Sequence, residues 1–230
     1  MRNVEMIEIV AHHLGDLRDE VVFLGGAVAS LLVTDPGAAA VRFTADVDVI
    51  VDVGSKVAYD RLARKLRDRG FREDMSEGAP ICRWIAADVK VDVMPTTADV
   101  LGFGNRWYAP AIRHAETRAV GTQTIHVVSA PFFLATKLEA FDGRGRGDFR
   151  GSHDIEDVIA VIDGREEIVE ECLRSPADLR EYLAERIGRL LASQRFIEAL
   201  PGHLPGDAAS QMRVPIILLR LKAIATGELS

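Results

Sequence analysis

Three short stretches carry residue types that could do chemistry together. In Asp46-Val47-Asp48-Val49-Ile50-Val51-Asp52-Val53, acidic and apolar residues alternate with a period of two, the pattern of a strand with one apolar face. Asp46 and Asp48 therefore project from one face, where two neighbouring carboxylates repel each other unless a cation lies between them. A divalent metal is the natural third party. Upstream, Val21-Val22-Phe23-Leu24 reads as a short buried strand that runs through Gly25-Gly26 into a helix over Ala27 to Leu32. A glycine pair at such a turn lets backbone approach a ligand closely, and the helix N-terminus behind it favours an anion such as phosphate. Downstream, Val89, Val91 and Val93 face one way while Lys90 and Asp92 face the other, making a third acidic strand.

If the acidic strands are neighbours in one sheet, a spacing of about 5 Å lets Asp46, Asp48 and Asp92 converge. Hard oxygen donors with positions left for water and phosphate suit Mg2+ or Mn2+. Two such ions orient an attacking hydroxyl and neutralise charge on a transferring phosphoryl or nucleotidyl group, so the expected reaction is metal-assisted phosphoryl-type transfer. Other motifs fail. The Gly-Gly turn lacks the third glycine of a dinucleotide fingerprint, and no Gly-Lys-Ser/Thr of a P-loop is present. Ile50-Val51 follow the Asp pair where a calcium loop needs an oxygen ligand and glycine.

The elements that must position these residues can be read along the chain. Met6, Ile9, Val10, Leu14 and Leu17 recur at helical spacing, so an amphipathic helix opens the chain. His12 and His13 on it point apart and cannot jointly bind one metal. Lys56 to Arg69 reads as a surface helix ended by Gly70. Ile81 to Ala86 and Val89 to Met94, separated by Ala87-Asp88, read as a hairpin; Thr117 to Val120 and Thr124 to Val128 read as another, around Gly121-Thr122. Gly102 to Tyr108 reads as a loop in which Trp107 and Tyr108 either stack on a base or are pinned against the core.

From Ser129 the pattern changes to successive helices, over Ala130 to Phe141, Asp154 to Ile162, Arg165 to Leu173, Pro176 to Leu191 and Val214 to Ala225. Between the first two lies Asp142 to Gly151, a Gly- and Arg-rich stretch expected to be irregular and mobile. Its Arg144, Arg146 and Arg150 either contact acceptor phosphates or are only solvated.

Composition narrows the classes. A chain of 230 residues can hold one large or two small domains, and a net charge of −7 argues against nonspecific coating of nucleic acid. Cys82 and Cys172 lie far apart without metal-ligand spacing and are expected to be reduced thiols. Charged residues interrupt both the first helix and the apolar segment Pro215 to Ala225, so neither a signal peptide nor a membrane span is expected and the protein reads as cytoplasmic.

Gly25-Gly26, Asp46-Val47-Asp48 and Asp92 resemble the signature of the polymerase β-type nucleotidyltransferase superfamily. That resemblance implies that Gly25 and Gly26 hold a triphosphate and that Asp46 and Asp48 bind both metals. It also implies that Asp92 binds the catalytic metal and assists deprotonation of the acceptor. A narrower similarity, carried by Arg42 to Asp48, Lys137-Leu138-Glu139-Ala140-Phe141 and Asp154-Ile155-Glu156-Asp157, is to the AbiEii-type toxin nucleotidyltransferases, including the MenT-like toxins. It adds Arg42 to the nucleotide site, places Lys137 on the triphosphate, and lets Asp154 and Asp157 shape the far wall of the cleft. His153 stands where a lysine is usual, and the glycine-rich insertion is a second departure.

The fold so implied is α+β: a nucleotidyltransferase mixed β-sheet flanked by helices over residues 1–128, then a C-terminal helical bundle over 129–230 that closes the cleft. The implied substrates are an NTP and an acceptor, either tRNA or other RNA, or a protein, and the implied partner is a cognate antitoxin. Two alternatives stand beside this: transfer to a small molecule of aminoglycoside type, and a catalytically silent nucleotidyltransferase-fold antitoxin or binding module. Lys137 also reads as a surface lysine on an amphipathic helix, Asp154 as a helix N-terminal charge, and Lys90 as a cross-strand partner or a phosphate contact.

Overall fold

Period-two alternation and two tight turns account for most of the first half of the chain. The structure, a computed structural model, describes residues 2–145 and 147–228. Helix α1 (Asn3–Leu14) turns Met6, Ile7, Val10, Ala11 and Leu14 inward, and a 3-10 segment leads into β1 (Val21–Leu24), four buried apolar residues. Helix α2 (Gly25–Leu32) follows without a loop. After an extended stretch come β2 (Asp46–Val51) and α3 (Lys56–Asp68), whose first turn is capped by the Ser55 hydroxyl accepting from the Ala58 N–H.

The short β3 (Arg72–Glu73) precedes the hairpin of β4 (Arg83–Ala86) and β5 (Val89–Pro95). Its two-residue turn puts both Ala87 and Asp88 at positive φ, the primed-turn geometry that suits strand twist. Two short helices, α4 (Ala98–Leu101) and α5 (Tyr108–Arg113), lead to the second hairpin, β6 (Glu116–Val120) and β7 (Gln123–Val127), which turns at Gly121-Thr122.

These strands form one seven-stranded mixed sheet in the order β3-β4-β5-β2-β1-β7-β6. The pairs β2/β5 and β1/β7 are parallel and the others antiparallel. Val47, Val49 and Val51 of β2 and Val89, Val91 and Val93 of β5 are buried, and α1 lies across these strands. The architecture is thus α+β, a mixed sheet with flanking helices.

Beyond the sheet, the described residues are helical: α6 (Ala130–Arg144), α7 (His153–Gly164), α8 (Ile168–Leu173), α9 (Ala177–Leu191), α10 (Gln194–Ala199), α11 (Ala208–Gln211) and α12 (Val214–Thr226). The chain divides into two compact units. One comprises Met1–Ser30 and Arg42–Ser129, the other Leu31–Val41 and Ala130–Ser230. The second is therefore not a single consecutive stretch. Residues 31–41, placed in the first domain by their sequence position, belong to it because Thr34 and Asp35 donate to the Gly164 carbonyl, while Asp35 also accepts from Arg213. Among the described residues, no helix is long and apolar enough to cross a membrane.

One expectation needs correction, and one pair of alternatives is decided. The stretch from Asp142 is not irregular throughout: α6 continues to Arg144 because Arg144 ion-pairs with Asp154 and Asp142 pairs with Arg186. Beyond it, the Asp148 carboxylate accepts the Arg150 and Gly151 N–H groups, and Phe149 packs on Phe141 and Phe196. Arg146 lies outside the described residues. Trp107 is buried, at 5 % exposure, with its ring beside Arg106, and Tyr108 donates its hydroxyl to Met94. Core pinning, not base stacking, is the role of Trp107 here.

Candidate active site

The register of three strands decides what the acidic residues can do. In the parallel β2/β5 pair Asp48 is the direct partner of Asp92, and Asp46 is the partner of Lys90. In-register neighbours point to the same side of a sheet, so Asp46, Asp48, Lys90 and Asp92 share one face. The opposite face carries the buried valines, whose burial holds this register: a one-residue slip would turn them outward and the acids inward. The approach to β2 is fixed separately. The Asn3 amide donates to the Arg42 carbonyl at 2.9 Å, its carbonyl accepts the Thr44 N–H at 3.1 Å, and the Thr44 hydroxyl donates to the Asp46 carbonyl at 2.9 Å.

Gly25 is required here for two reasons. Its φ of +75° lies in the left-handed region that favours glycine. A Cβ built on it would fall 1.8 Å from Asp48 Oδ2. What approaches this bend is the carboxylate of Asp48, a neighbour that the Gly-Gly motif alone does not reveal. Gly25→Ala is therefore expected to lower unfolding free energy on the order of 2–4 kcal/mol, from backbone strain and overpacking together. Urea unfolding of the two proteins measures this; an unchanged midpoint would show that Asp48 moves aside without cost.

A cation already lies on the acidic face. Arg83, the first residue of β4, is the antiparallel partner of Asp92. Its Nε donates to Asp92 Oδ1 at 2.7 Å, and its Nη2 donates to Asp92 Oδ2 at 2.8 Å and to Asp46 Oδ2 at 2.7 Å. This is a bidentate fork with a third bond to the next strand. The Asp92 hydrogen bond raises the Arg83 pKa above its ordinary value despite the opposing effect of burial, so the guanidinium is charged throughout.

Sequence reading passed over Arg83, although a signal existed. With a two-residue turn at Ala87-Asp88, counting back along both arms sets residue 83 opposite residue 92. Cys82, next to it, is buried, and desolvation, reinforced by the Asp92 and Asp48 charges, pushes its thiol up to about 12. It is not a nucleophile at neutral pH. The Tyr59 hydroxyl donates to the Val93 carbonyl at 2.9 Å and steadies β5 from behind.

Carboxylate oxygens from two adjacent strands on one face are donors of the type that a hard divalent cation takes. In the conformation seen, no three His, Cys, Asp or Glu side chains among the described residues are gathered to hold one ion. The oxygens of Asp46 and Asp92 are spanned instead by Arg83. The residues fit such a cation in type and in facing, provided Arg83 gives way. Arg42 has its backbone tied to Asn3, and its Nη1 makes a long contact of 3.5 Å with the Phe43 carbonyl.

The second unit gathers the other expected residues. Lys137 Nζ lies 2.6 Å from Asp157 Oδ2 and 3.1 Å from Asp154 Oδ1, and Arg144 grips both Asp154 oxygens at 2.9 Å. Lys137 is buried, which corrects the surface-lysine alternative, and Asp157 is fully so. Asp154 is more than a helix N-terminal charge. Burial acts to raise its pKa, but the Arg144 hydrogen bond and the Lys137 and Arg144 charges outweigh it, leaving a net lowering.

A folded pKa below the unfolded value means stability that is present above the unfolded pKa, about 3.9, and lost as pH falls through the folded one. Asp154→Asn is thus expected to flatten the acid limb of a stability-versus-pH curve below about pH 4. An acid limb as steep as that of the wild type would sink the attribution.

No family model matches this chain, and no curated protein matches it in sequence. Among solved structures it is similar to an antigenic nucleotidyltransferase-like protein from Paracoccidioides brasiliensis, with a TM-score of 0.47 and 19 % identity over 86 % of this chain and 93 % of that one. It is also similar to a candidate nucleotidyltransferase from H. pylori, with a TM-score of 0.46 and 10 % identity over 97 % and 94 % of the two chains. What the site can do is read from its own residues.

Proposed function

We propose that the chain is a metal-dependent nucleotidyltransferase that moves NMP from an NTP to an acceptor and releases pyrophosphate. The observation that supports it is the facing of Asp46, Asp48 and Asp92 on adjacent strands, with the Asp48 carboxylate packed into the Gly25 bend. Asp46, Asp48 and Asp92 would hold Mg2+ or Mn2+, which supplies charge neutralisation at the transferring phosphoryl group. In this reading Gly25-Gly26 would offer the N-terminal N–H groups of α2 to phosphate oxygens, and Asp92, once released by Arg83, would accept the acceptor hydroxyl's proton.

In this reading Arg42 and Lys137 belong to the nucleotide site, and Asp154 and Asp157 hold Lys137 in place. In the same reading the acceptor is tRNA, other RNA or protein, in the manner of an AbiEii- or MenT-like toxin with a cognate antitoxin. The pure protein incubated with labelled NTPs, Mg2+ or Mn2+ and total RNA tests this. Label on RNA or on protein supports transfer and identifies the acceptor. Absence of label with every nucleotide, with RNA, protein and aminoglycoside acceptors alike, overturns it.

One observation favours a second reading. Arg83 neutralises part of the acidic face without any metal, as a catalytically silent binding module of the same fold would require. In that case neither nucleotide nor metal binds at this face.

A further inference from the structure

Arg83 bonds to the oxygens that a divalent ion on this face needs. The hydrogen bonds of its side chain end on Asp46 Oδ2 and the two oxygens of Asp92, and that side chain is 17 % exposed against 12 % for Asp92 and 30 % for Asp46. The arrangement is built rather than incidental. Cross-strand register puts Arg83 opposite Asp92, and the backbone of Arg83 is tied on both sides, its N–H donating to the Pro80 carbonyl and its carbonyl accepting from the Asp74 N–H. Ahead of it runs the turn of residues 74–82, with Met75 and Ile81 exposed, so the arginine stands at the rim of the sheet beside an open loop.

We propose that Arg83 is an exchangeable counter-ion of the acidic face. Without nucleotide it holds Asp46 and Asp92 together and competes with metal for their oxygens; when metal and nucleotide bind, it releases the carboxylates and turns its fork onto the nucleotide's phosphates. The inference rests on the metal-dependent reading above. Its physical basis is charge and geometry. Three carboxylates on one face repel, and one guanidinium offsets one of their charges while fixing two of them in place. A divalent ion arriving alone must break three charge-assisted hydrogen bonds and leaves the displaced guanidinium beside a new positive charge. A metal accompanied by a triphosphate brings the anion that the freed fork matches, since a planar guanidinium binds phosphate and carboxylate alike. Metal and nucleotide binding are therefore coupled through this side chain, and by linkage each tightens the other.

The test is a Mn2+ titration by calorimetry of wild type and Arg83→Gln, with and without a non-hydrolysable NTP analogue. In the absence of nucleotide, Arg83→Gln is expected to bind Mn2+ at least about tenfold more tightly than wild type, since even one of the three charge-assisted hydrogen bonds is worth that factor. The extra tightening that the analogue gives wild type shrinks in the variant. Thermal unfolding adds a second readout: without metal the variant melts below wild type, and Mn2+ restores it.

Should Arg83→Gln not fold, the wild type alone suffices. The Arg83 Nε–H signal in a 15N spectrum, assigned through its absence in Arg83→Lys, is expected to shift or broaden away on adding Mg2+ with the analogue. Equal Mn2+ affinity in both proteins, or an unmoved Arg83 signal while calorimetry shows the site filled, overturns the exchange and leaves the transferase reading standing. Folded wild type and variant that bind no Mn2+ even with the analogue overturn both.

Discussion

Asp48→Asn is expected to abolish nucleotidyl transfer, lowering the rate on the order of 10³-fold or more, with a melting temperature within about 2 °C of wild type. Asp46 and Asp92 are bonded to Arg83, so changing either also disturbs that fork. Asparagine keeps the shape of the side chain beside Gly25 and removes its charge. The β2/β5 register and the Arg83 fork are untouched. Transfer is measured with labelled NTP, and fold by thermal unfolding of the same sample. Activity within tenfold of wild type would show that Asp48 carries no ligand role. The mechanism would then lose the carboxylate that lies directly between the glycine bend and Asp92.

The second large effect concerns stability. Lys137→Met is expected to cost roughly 3–5 kcal/mol and to lower the melting temperature by about 10 °C, because it takes the ammonium away from two buried carboxylates. Asp157 is the more affected, being 1 % exposed at its side chain. Denaturant unfolding of the two proteins measures it. The double variant Lys137→Met, Asp157→Leu should recover part of the loss, since an apolar pair leaves no buried charge without its counter-charge. A single variant as stable as wild type would mean that the cluster relaxes to reach water.

The local elements are legible in the order of residues alone, because their signals lie between neighbours in the chain. Alternation in Asp46–Val51 and Val89–Pro95, four apolar residues in Val21–Leu24, and the two-residue turns at Ala87-Asp88 and Gly121-Thr122 all reappear in the structure with shifts of one or two residues at their ends. The change to helices after Ser129 was legible for the same reason, as a change of period. The short helices Gln194–Ala199 and Ala208–Gln211 were not, since six and four residues are too few to show a period.

Which residues meet is set by packing over long range. Parallel pairing of β2 with β5 joins segments some forty residues apart, and no local pattern states that Asp48 stands beside Asp92 rather than elsewhere along that strand. The same holds for Arg83 spanning Asp46 and Asp92, for Lys137 buried between Asp154 and Asp157, and for Asn3 pinning the approach to β2. Charged and polar side chains carry no periodic signature of their partners; the burial of apolar faces sets the register, and that register brings them into contact.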